Sequence, residues 1–197
     1  KRYKSGGIEF DTTEVKFVLD ENRYPAEVKL RRTTDATSLV EEFMLLANQT
    51  VAQHVRLISK TLKQARILPY LFRVHEEPDQ KMLREALDFI STFGPKLKVK
   101  QVGSKEINQL LKDVEELPEK SIVHSILIRS MPKAIYSYKN VGHYGLGFKE
   151  YSHFTSPIRR YPDLIVHRMI KEYAKGAPSL ERIKFLNMLM KDVGTSS

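Results

Sequence analysis

The sequence predicts an α+β fold, in which an antiparallel β meander is packed by a long helix and followed by a mostly helical second half. Two patterns predict it: apolar residues alternate with polar ones near the start of the chain, and they recur at helical spacing over most of the remaining sequence. The chain has 197 residues, of which 41% are hydrophobic, and no Gly/Ser/Pro-rich linker divides it. We therefore expect residues 1–197 to bury a core as one unit.

Three strands are predicted near the start, where polar and apolar residues alternate. Residues 20–23, Asp-Glu-Asn-Arg, supply a turn between the second and the third. The apolar positions of the three strands are Ile8 and Phe10; Val15, Phe17 and Leu19; and Ala26, Val28 and Leu30. One face of this meander is expected to be exposed to solvent.

A long helix comes after the meander. Ser38-Leu-Val-Glu41 matches a capping box and predicts a helix start at Ser38. The expected core-facing stripe comprises Leu39, Phe43, Leu46, Ala47, Val51, His54, Ile58 and Leu62. Glu41 and Asn48, two turns apart, are expected on the opposite face.

The second half is predicted to be mostly helical. Residues 68–74 contain Pro69 and predict a short edge segment. Helices are expected over 79–93, 104–117, 119–131 and 181–193, with a short strand over 133–139 and a glycine-containing loop over 143–154. Ser156-Pro157 predicts another helix start, and Pro162 either kinks that helix or restarts it before it ends near Ala174.

The composition excludes several classes of protein. The chain has no cysteine, which excludes a disulfide scaffold and any Cys-ligated zinc or iron–sulfur site, and it fits a reducing compartment. The longest apolar run covers residues 43–47, far below the roughly 18 residues that a membrane span needs. No initiator Met, apolar signal core or cleavage site precedes the first strand. We expect a soluble, cytoplasmic protein without a membrane partner, and a chain cut from something longer.

A basic segment rich in aromatic residues lies between residues 132 and 176. It carries eight Lys/Arg against three acids, which is more than half of the net charge of +9. The interleaved aromatics include Tyr136, Tyr138, Tyr144, Phe148, Tyr151, Phe154 and Tyr161. This mixture is typical of surfaces that hold phosphates and unstacked bases, and a solvated basic face beside a Tyr-rich core is the alternative interpretation.

Arg159 and Arg160 fall in the first turn of the helix predicted to start at Ser156. Cations normally avoid the positive end of a helix dipole, so two of them suggest that an external anion offsets the repulsion. A guanidinium can hold a phosphate bidentately. The alternative is that Arg160 pairs with Asp163 and Arg159 is solvated.

Two kinds of metal site are considered: a zinc site with histidine ligands and a two-metal magnesium site. His143, His153, Asp163 and His167 offer zinc ligands, but no H-x-x-x-H or H-E-x-x-H pair exists, so a His-ligated metal hydrolase is a weak alternative. A two-metal nuclease needs several converging carboxylates. The eight aspartates are never closer than nine residues in sequence, which argues against a complete magnesium nuclease within this chain.

One block, HYGLGFKEYSHFTSPIRRYPDLIVHR, resembles the signature of the RNB-domain exoribonucleases, the group containing ribonuclease R, ribonuclease II and the exosome nuclease. Upstream, KSGGIEFDTTEVKFVLDE, VEEFMLLANQTVA and YLFRVHEEP are similar to that family's successive blocks in the same order. The resemblance spans roughly residues 1–175, and the ribonuclease R branch is the most similar.

The resemblance implies a magnesium-dependent, hydrolytic exoribonuclease that degrades single-stranded RNA processively from the 3′ end to mononucleotides. Arg159 matches the family's arginine at the scissile phosphate. Phe10 matches an aromatic that clamps the terminal bases, and Glu41 matches an acid that helps hold the last nucleotides. Glu181 is the one match to a second carboxylate near the terminal nucleotide.

Three further residues are candidates for RNA contact: Lys149, Arg160 and Tyr161. Because Arg159 matches the arginine at the scissile phosphate, the resemblance implies that it is the catalytic residue of this chain. His153 is expected at the solvated rim of the site.

The resemblance also implies parts that this chain lacks. The family's metal-binding cluster of four aspartates and its catalytic tyrosine precede the matched blocks, and OB-fold domains flank them. We therefore expect no metal ligands here, Mg²⁺ only in the intact enzyme, no nuclease activity from the isolated chain, and self-association through uncovered apolar surface. A non-catalytic RNA-binding or regulatory module is the main rival.

Overall fold

The computed structural model describes residues 6–8, 10, 14–31, 34–61, 68–94 and 102–195. The strands in these ranges are β1 (Glu14–Leu19), β2 (Pro25–Arg31), β3 (Phe72–Val74) and β4 (Ile135–Ser137). The helices are α1 (Asp35–Thr61), α2 (Gln80–Ile90), α3 (Ser104–Asp113), α4 (Lys120–Arg129), α5 (Tyr161–Tyr173) and α6 (Leu180–Thr195). This arrangement of helices and small antiparallel sheets confirms the predicted α+β class.

The predicted meander is a two-stranded hairpin. β1 and β2 pair antiparallel with Phe17 opposite Val28, and the carboxylate of Asp20 accepts two backbone N–H groups of the turn between them. The strand expected around Ile8 and Phe10 is wrong for the described residues. The backbone N–H of Ile8 donates instead to Gly145 O at 2.8 Å, and the Ile8 side chain is buried among helices.

The apolar face of the hairpin is exposed. Phe17 and Val28 retain 58% and 59% of their accessible surface, so the expected packing of a long helix across this sheet is not found in the described structure. α1 packs instead into a cluster with α5 and α6. Self-association through the uncovered face stays a prediction.

α1 begins earlier than predicted and presents a different face to the core. Thr34 and Thr37 exchange hydrogen bonds between hydroxyl and backbone N–H, which caps the helix before Asp35 rather than at Ser38. The buried side chains are Asn48, Ala52, Val55 and Ser59. The expected stripe is wrong at four positions, because Leu39, Phe43, Leu46 and His54 are exposed. Leu62, its last member, lies outside the described residues.

Two hydrophobic clusters build the interior. The first joins α1, α5 and α6 to residues 68–71, and the second joins α2, α3 and α4 to Ile8 and Val102. The β3–β4 pair and the glycine-containing loop lie between them, with Tyr136 packed on the first cluster and Tyr144 on the second. Within the described residues, no helix combines the length and the apolar character needed to cross a bilayer.

The segment before α5 is a single turn rather than the start of a helix. The backbone N–H groups of Arg159 and Arg160 both donate to Ser156 O, at 3.3 and 3.0 Å. Arg160 has extended backbone angles and Pro162 lies in the first turn of α5, so the helix restarts at Tyr161. The prediction of a helix start at Ser156 is wrong, and both arginines precede the helix.

Candidate nucleic-acid interface

Residues 151–160 form the centre of the candidate site and have no helix or strand of their own. Their first part lies against β3: Arg73 N–H donates to Tyr151 O at 3.0 Å, and Ser152 Oγ donates to Leu71 O at 2.7 Å. Tyr151 and Ser152 are buried. The segment is therefore fixed at its start by β3 and by the residue that precedes this strand.

Asn48 fixes the middle of the 151–160 segment from α1. Its side chain is only 3% exposed. Its Oδ1 accepts from the backbone N–H groups of Phe154 (2.9 Å) and Thr155 (3.2 Å), and its Nδ2 donates to Tyr151 Oη at 3.0 Å. One amide thus satisfies two backbone donors for which the segment has no sheet or helix partner.

Asp163 fixes the end of the segment from α5. Its side chain is fully buried, and its Oδ2 accepts from Ser156 N–H at 2.8 Å and from an Nη of Arg160 at 2.9 Å. The alternative in which Arg160 pairs with Asp163 is thereby confirmed. This charge-assisted contact offsets part of the cost of burial, whereas Asp163 Oδ1 and Arg160 Nε are buried without a hydrogen-bond partner among the described residues.

Arg159 lies on the exposed side of this held segment. It makes no side-chain hydrogen bond or ion pair with any residue of the described ranges. Its neighbour Ile158 is fully exposed, and Tyr161 keeps 59% of its accessible surface. The structure thus separates the two arginines: Arg160 is committed to a buried carboxylate, whereas Arg159 is open to an external ligand.

His153 belongs to a polar cluster beneath the segment, not to a solvated rim. Its Nδ1 shares a 2.8 Å hydrogen bond with Tyr136 Oη, and the Arg73 guanidinium lies 4.6 Å from the Tyr136 ring centroid. Burial, and then the positive charge of Arg160, lower the pKa of His153 to about 4. His153 is therefore a neutral ring at physiological pH.

His75 and His143 hold the glycine-containing loop against the end of β3. Gly145 N–H donates to His75 Nδ1 at 2.9 Å, so the proton of this ring is on Nε2, which donates to Pro132 O at 2.8 Å. A Cβ on Gly145 would lie 2.9 Å from His75 Nδ1, which explains the glycine. Burial and the nearby His75 lower the pKa of His143 to about 3.

The other predicted contact residues lie on different parts of the molecule. Phe10 is half-buried against the second cluster, with its ring edge-on to His124 at 5.8 Å. Glu41 is exposed on α1, on the same face as Asn48 and about 10 Å nearer the helix start. Lys149 is exposed within the glycine-containing loop, and Glu181 is exposed in the first turn of α6. Their roles stay predictions.

The candidate zinc ligands of the sequence do not converge. His167 Nε2 is hydrogen-bonded to Phe154 O at 2.9 Å, whereas Asp163 pairs with Arg160 and His153 with Tyr136. In the part of the chain that the structure describes, no three His, Asp or Glu side chains are placed to hold a metal ion. The described residues therefore do not fit a magnesium or zinc centre.

Residues 1–176 match the family model of the RNB domain. This chain belongs to the RNB domain family. The resemblance drawn from the sequence blocks is thereby confirmed, and the 151–160 segment with Arg159 lies within the matched range.

Curated relatives and solved structures agree with this assignment. Ribonuclease R 1 of Lactococcus lactis is 40% identical over 89% of this chain, and ribonuclease R of Thermotoga maritima is 40% identical over 96%. The chain spans only 21% and 26% of the lengths of these relatives. The RNase R of Mycoplasma genitalium, solved with ribose-methylated single-stranded RNA, matches with a TM-score of 0.84 at 26% identity, over 99% of this chain and 30% of that one.

A more distant match shows the fold alone. Yeast Ssd1, described as a pseudonuclease, matches with a TM-score of 0.61 at 24% identity over 83% of this chain and 20% of that one. The RNB fold by itself therefore does not establish hydrolysis.

Sequence reasoning missed the residues that hold the site together. Asn48 was expected on a face away from the core, and Arg73 and the Tyr136–His153 contact were not identified. One signal was available: Asn48, Ala52, Val55 and Ser59 succeed one another at helical spacing. Such a row predicts a buried face when the polar members can reach backbone partners.

The lowered pKa values predict that the folded chain loses stability in mild acid. An unfolded histidine protonates below about pH 6.5, whereas folded His153 and His143 stay neutral down to about pH 4 and about pH 3. The unfolded state therefore binds more protons between about pH 6.5 and pH 4, and the free energy of unfolding falls as the pH falls through that window. His153→Gln should make this slope shallower in urea unfolding at a series of pH values. An unchanged slope would contradict the account.

Proposed function

We propose that this chain is part of a hydrolytic, processive 3′-to-5′ exoribonuclease that degrades single-stranded RNA to mononucleotides. In this proposal the chain supplies a portion of the RNA groove and a phosphate-contacting arginine. The observation that carries it is the guanidinium of Arg159, which is exposed and pairs with none of the described residues, on a segment held by two buried side chains. The chain that carries it is 40% identical to ribonuclease R 1 of Lactococcus lactis and to ribonuclease R of Thermotoga maritima.

The proposed role of Arg159 is to stabilise the charge that develops on the phosphoryl oxygens. A guanidinium offers a rigid fork of donors that matches two oxygens of a phosphate. Such preorganised donors contribute several kcal/mol, about 3 to 4 in comparable sites, because they need no reorganisation during the reaction. Arg160 is less suited to the same task, since one of its Nη groups donates to Asp163.

The remaining contacts are proposed for RNA binding. Phe10 stacks on a base, Glu41 holds a terminal ribose through its 2′-hydroxyl, and Lys149 and Tyr161 contact the backbone or a base. Glu181 is retained as a contact to the terminal nucleotide. These roles are supported by the exposure of Glu41, Lys149, Tyr161 and Glu181 and, for all of them except Glu181, by a position inside the matched residues 1–176.

Magnesium is proposed for the intact enzyme, with its ligands outside this chain, together with the flanking OB-fold domains. Support comes from the family match and from the short span of the chain relative to its relatives. A non-catalytic RNA-binding module is the second candidate, because an RNB-like fold also occurs in a pseudonuclease. A cytoplasmic location stays a prediction.

Replacing Arg159 tests the catalytic role. In the intact enzyme, Arg159→Ala should reduce the single-turnover rate on bound RNA by about 100-fold or more, because a charge-stabilising donor is lost. The dissociation constant for RNA should change by less than about threefold, since other contacts bind the strand. Arg168→Ala, which removes an exposed arginine further along α5, is the matched control. Loss of affinity with unchanged turnover would make Arg159 a binding residue.

The isolated chain should bind RNA weakly and should not shorten it. With a net charge of +9, its affinity should fall steeply between about 50 and 200 mM salt, as counterion release requires. The measurement is a gel time course on 5′-labelled RNA and matched DNA, with magnesium and with chelator, beside a salt titration of binding. Magnesium-dependent shortening would contradict the proposed division of the active site. If the isolated chain does not shorten RNA, the upstream half of the RNB domain is added. Restored shortening indicates an exonuclease, and no shortening indicates a module that does not cut.

A further inference from the structure

Asn48 is a buried amide whose hydrogen bonds to Tyr151, Phe154 and Thr155 all go to one distant segment. These partners are more than 100 residues away in sequence. Leu, Val or Ala would fill such a core position without a desolvation cost, whereas a buried amide must be hydrogen-bonded to be tolerated. The Asn48 side chain is therefore suited to hold a backbone segment in position rather than to fill space in the core.

The placed backbone is connected to Arg159 by a short series of contacts. Asn48 holds the N–H groups of Phe154 and Thr155, and Asp163 holds the next N–H, that of Ser156. Ser156 O in turn accepts from the N–H of Arg159 at 3.3 Å. The position of the Arg159 backbone is thus set relative to α1 and α5 through Ser156.

Other contacts hold the same segment but do not replace Asn48. Phe154 stacks on His167 with 4.0 Å between ring centroids, which fixes its side chain. Arg56 on α1 forms an ion pair of 2.6 Å with Glu150, just before the segment, and half of the Arg56 side chain is exposed. Neither contact satisfies the N–H groups of Phe154 and Thr155, which depend on Asn48.

We propose that Asn48 is a positioning residue for Arg159: it fixes the 151–160 segment so that the guanidinium is presented at the phosphate. This inference rests on the proposed exoribonuclease function. A group misplaced by about 1 Å can cost on the order of 100-fold in rate. Loss of Asn48 is therefore expected to lower turnover through Arg159 and to leave RNA affinity largely intact.

A double-mutant cycle in the intact enzyme tests the proposal, because residues that act through one another show non-additive effects. Asn48→Ala alone should reduce the single-turnover rate by about 10- to 100-fold, with less than about a threefold change in RNA affinity. In an Arg159→Ala background, the same substitution should reduce the remaining rate by less than about threefold. Asn48→Asp, which retains an acceptor for both N–H groups, should recover part of the rate.

A matched control separates positioning from general stability. Ser59 is a buried polar residue on the same face of α1, and its Oγ accepts from Leu68 N–H at 3.2 Å, away from the 151–160 segment. Ser59→Ala should lower the melting temperature but leave the single-turnover rate within about twofold. If Asn48→Ala does not fold, Asn48→Leu, which keeps the volume without a hydrogen-bonding group, is used in the same cycle with the same expectation.

The outcomes are distinguishable. An equal loss of rate from Asn48→Ala with and without Arg159, or an equal loss from Ser59→Ala, overturns the positioning role while the exoribonuclease function stands. If the intact wild-type protein does not shorten RNA, the proposed function fails, and the positioning proposal fails with it.

Discussion

Three consecutive backbone N–H groups, those of Phe154, Thr155 and Ser156, donate to two buried side chains, and the rest of the site depends on this arrangement. Buried backbone donors need partners, and the 151–160 segment has no helix or sheet ladder to supply them. Asn48 of α1 and Asp163 of α5 supply them instead. The two helices, already packed in one hydrophobic cluster, are thereby joined through the segment that carries Arg159.

The same arrangement sets the electrostatics of the site. Asp163 is fully buried and is paired with Arg160, so two adjacent arginines differ in what they can bind. Beneath them, His153 is kept neutral by burial and by the charge of Arg160, and Arg73 stacks on its partner Tyr136. The result is a positive site in which the guanidinium of Arg159 is the group presented to an external anion. In the proposed function, that anion is an RNA phosphate.

The sequence predicted the helices well because their apolar periods are long, and the family blocks led directly to Arg159. It did not predict the phase of α1, because it places Asn48 opposite the apolar stripe, although Asn48 is buried against backbone partners. It also placed Arg159 and Arg160 inside a helix. Ser156-Pro157 forms a single turn and the helix restarts at Tyr161, where Pro162 needs no N–H partner. For α1 the missing information was a set of long-range hydrogen bonds from Asn48, which no local pattern contains. For the turn it was the hydrogen bond from Ser156 N–H to the Asp163 carboxylate seven residues on.

Hydrogen exchange at three amides tests the central claim most directly. In NMR spectra of this chain, the amides of Phe154, Thr155 and Ser156 should exchange as slowly as buried amides of α5, although they lie outside regular secondary structure. In Asn48→Ala, exchange at Phe154 and Thr155 should accelerate by at least about tenfold, whereas Ser156, held by Asp163, should change less. Rapid exchange at all three amides in the wild-type chain would contradict the account, because the segment would then not be held by these side chains.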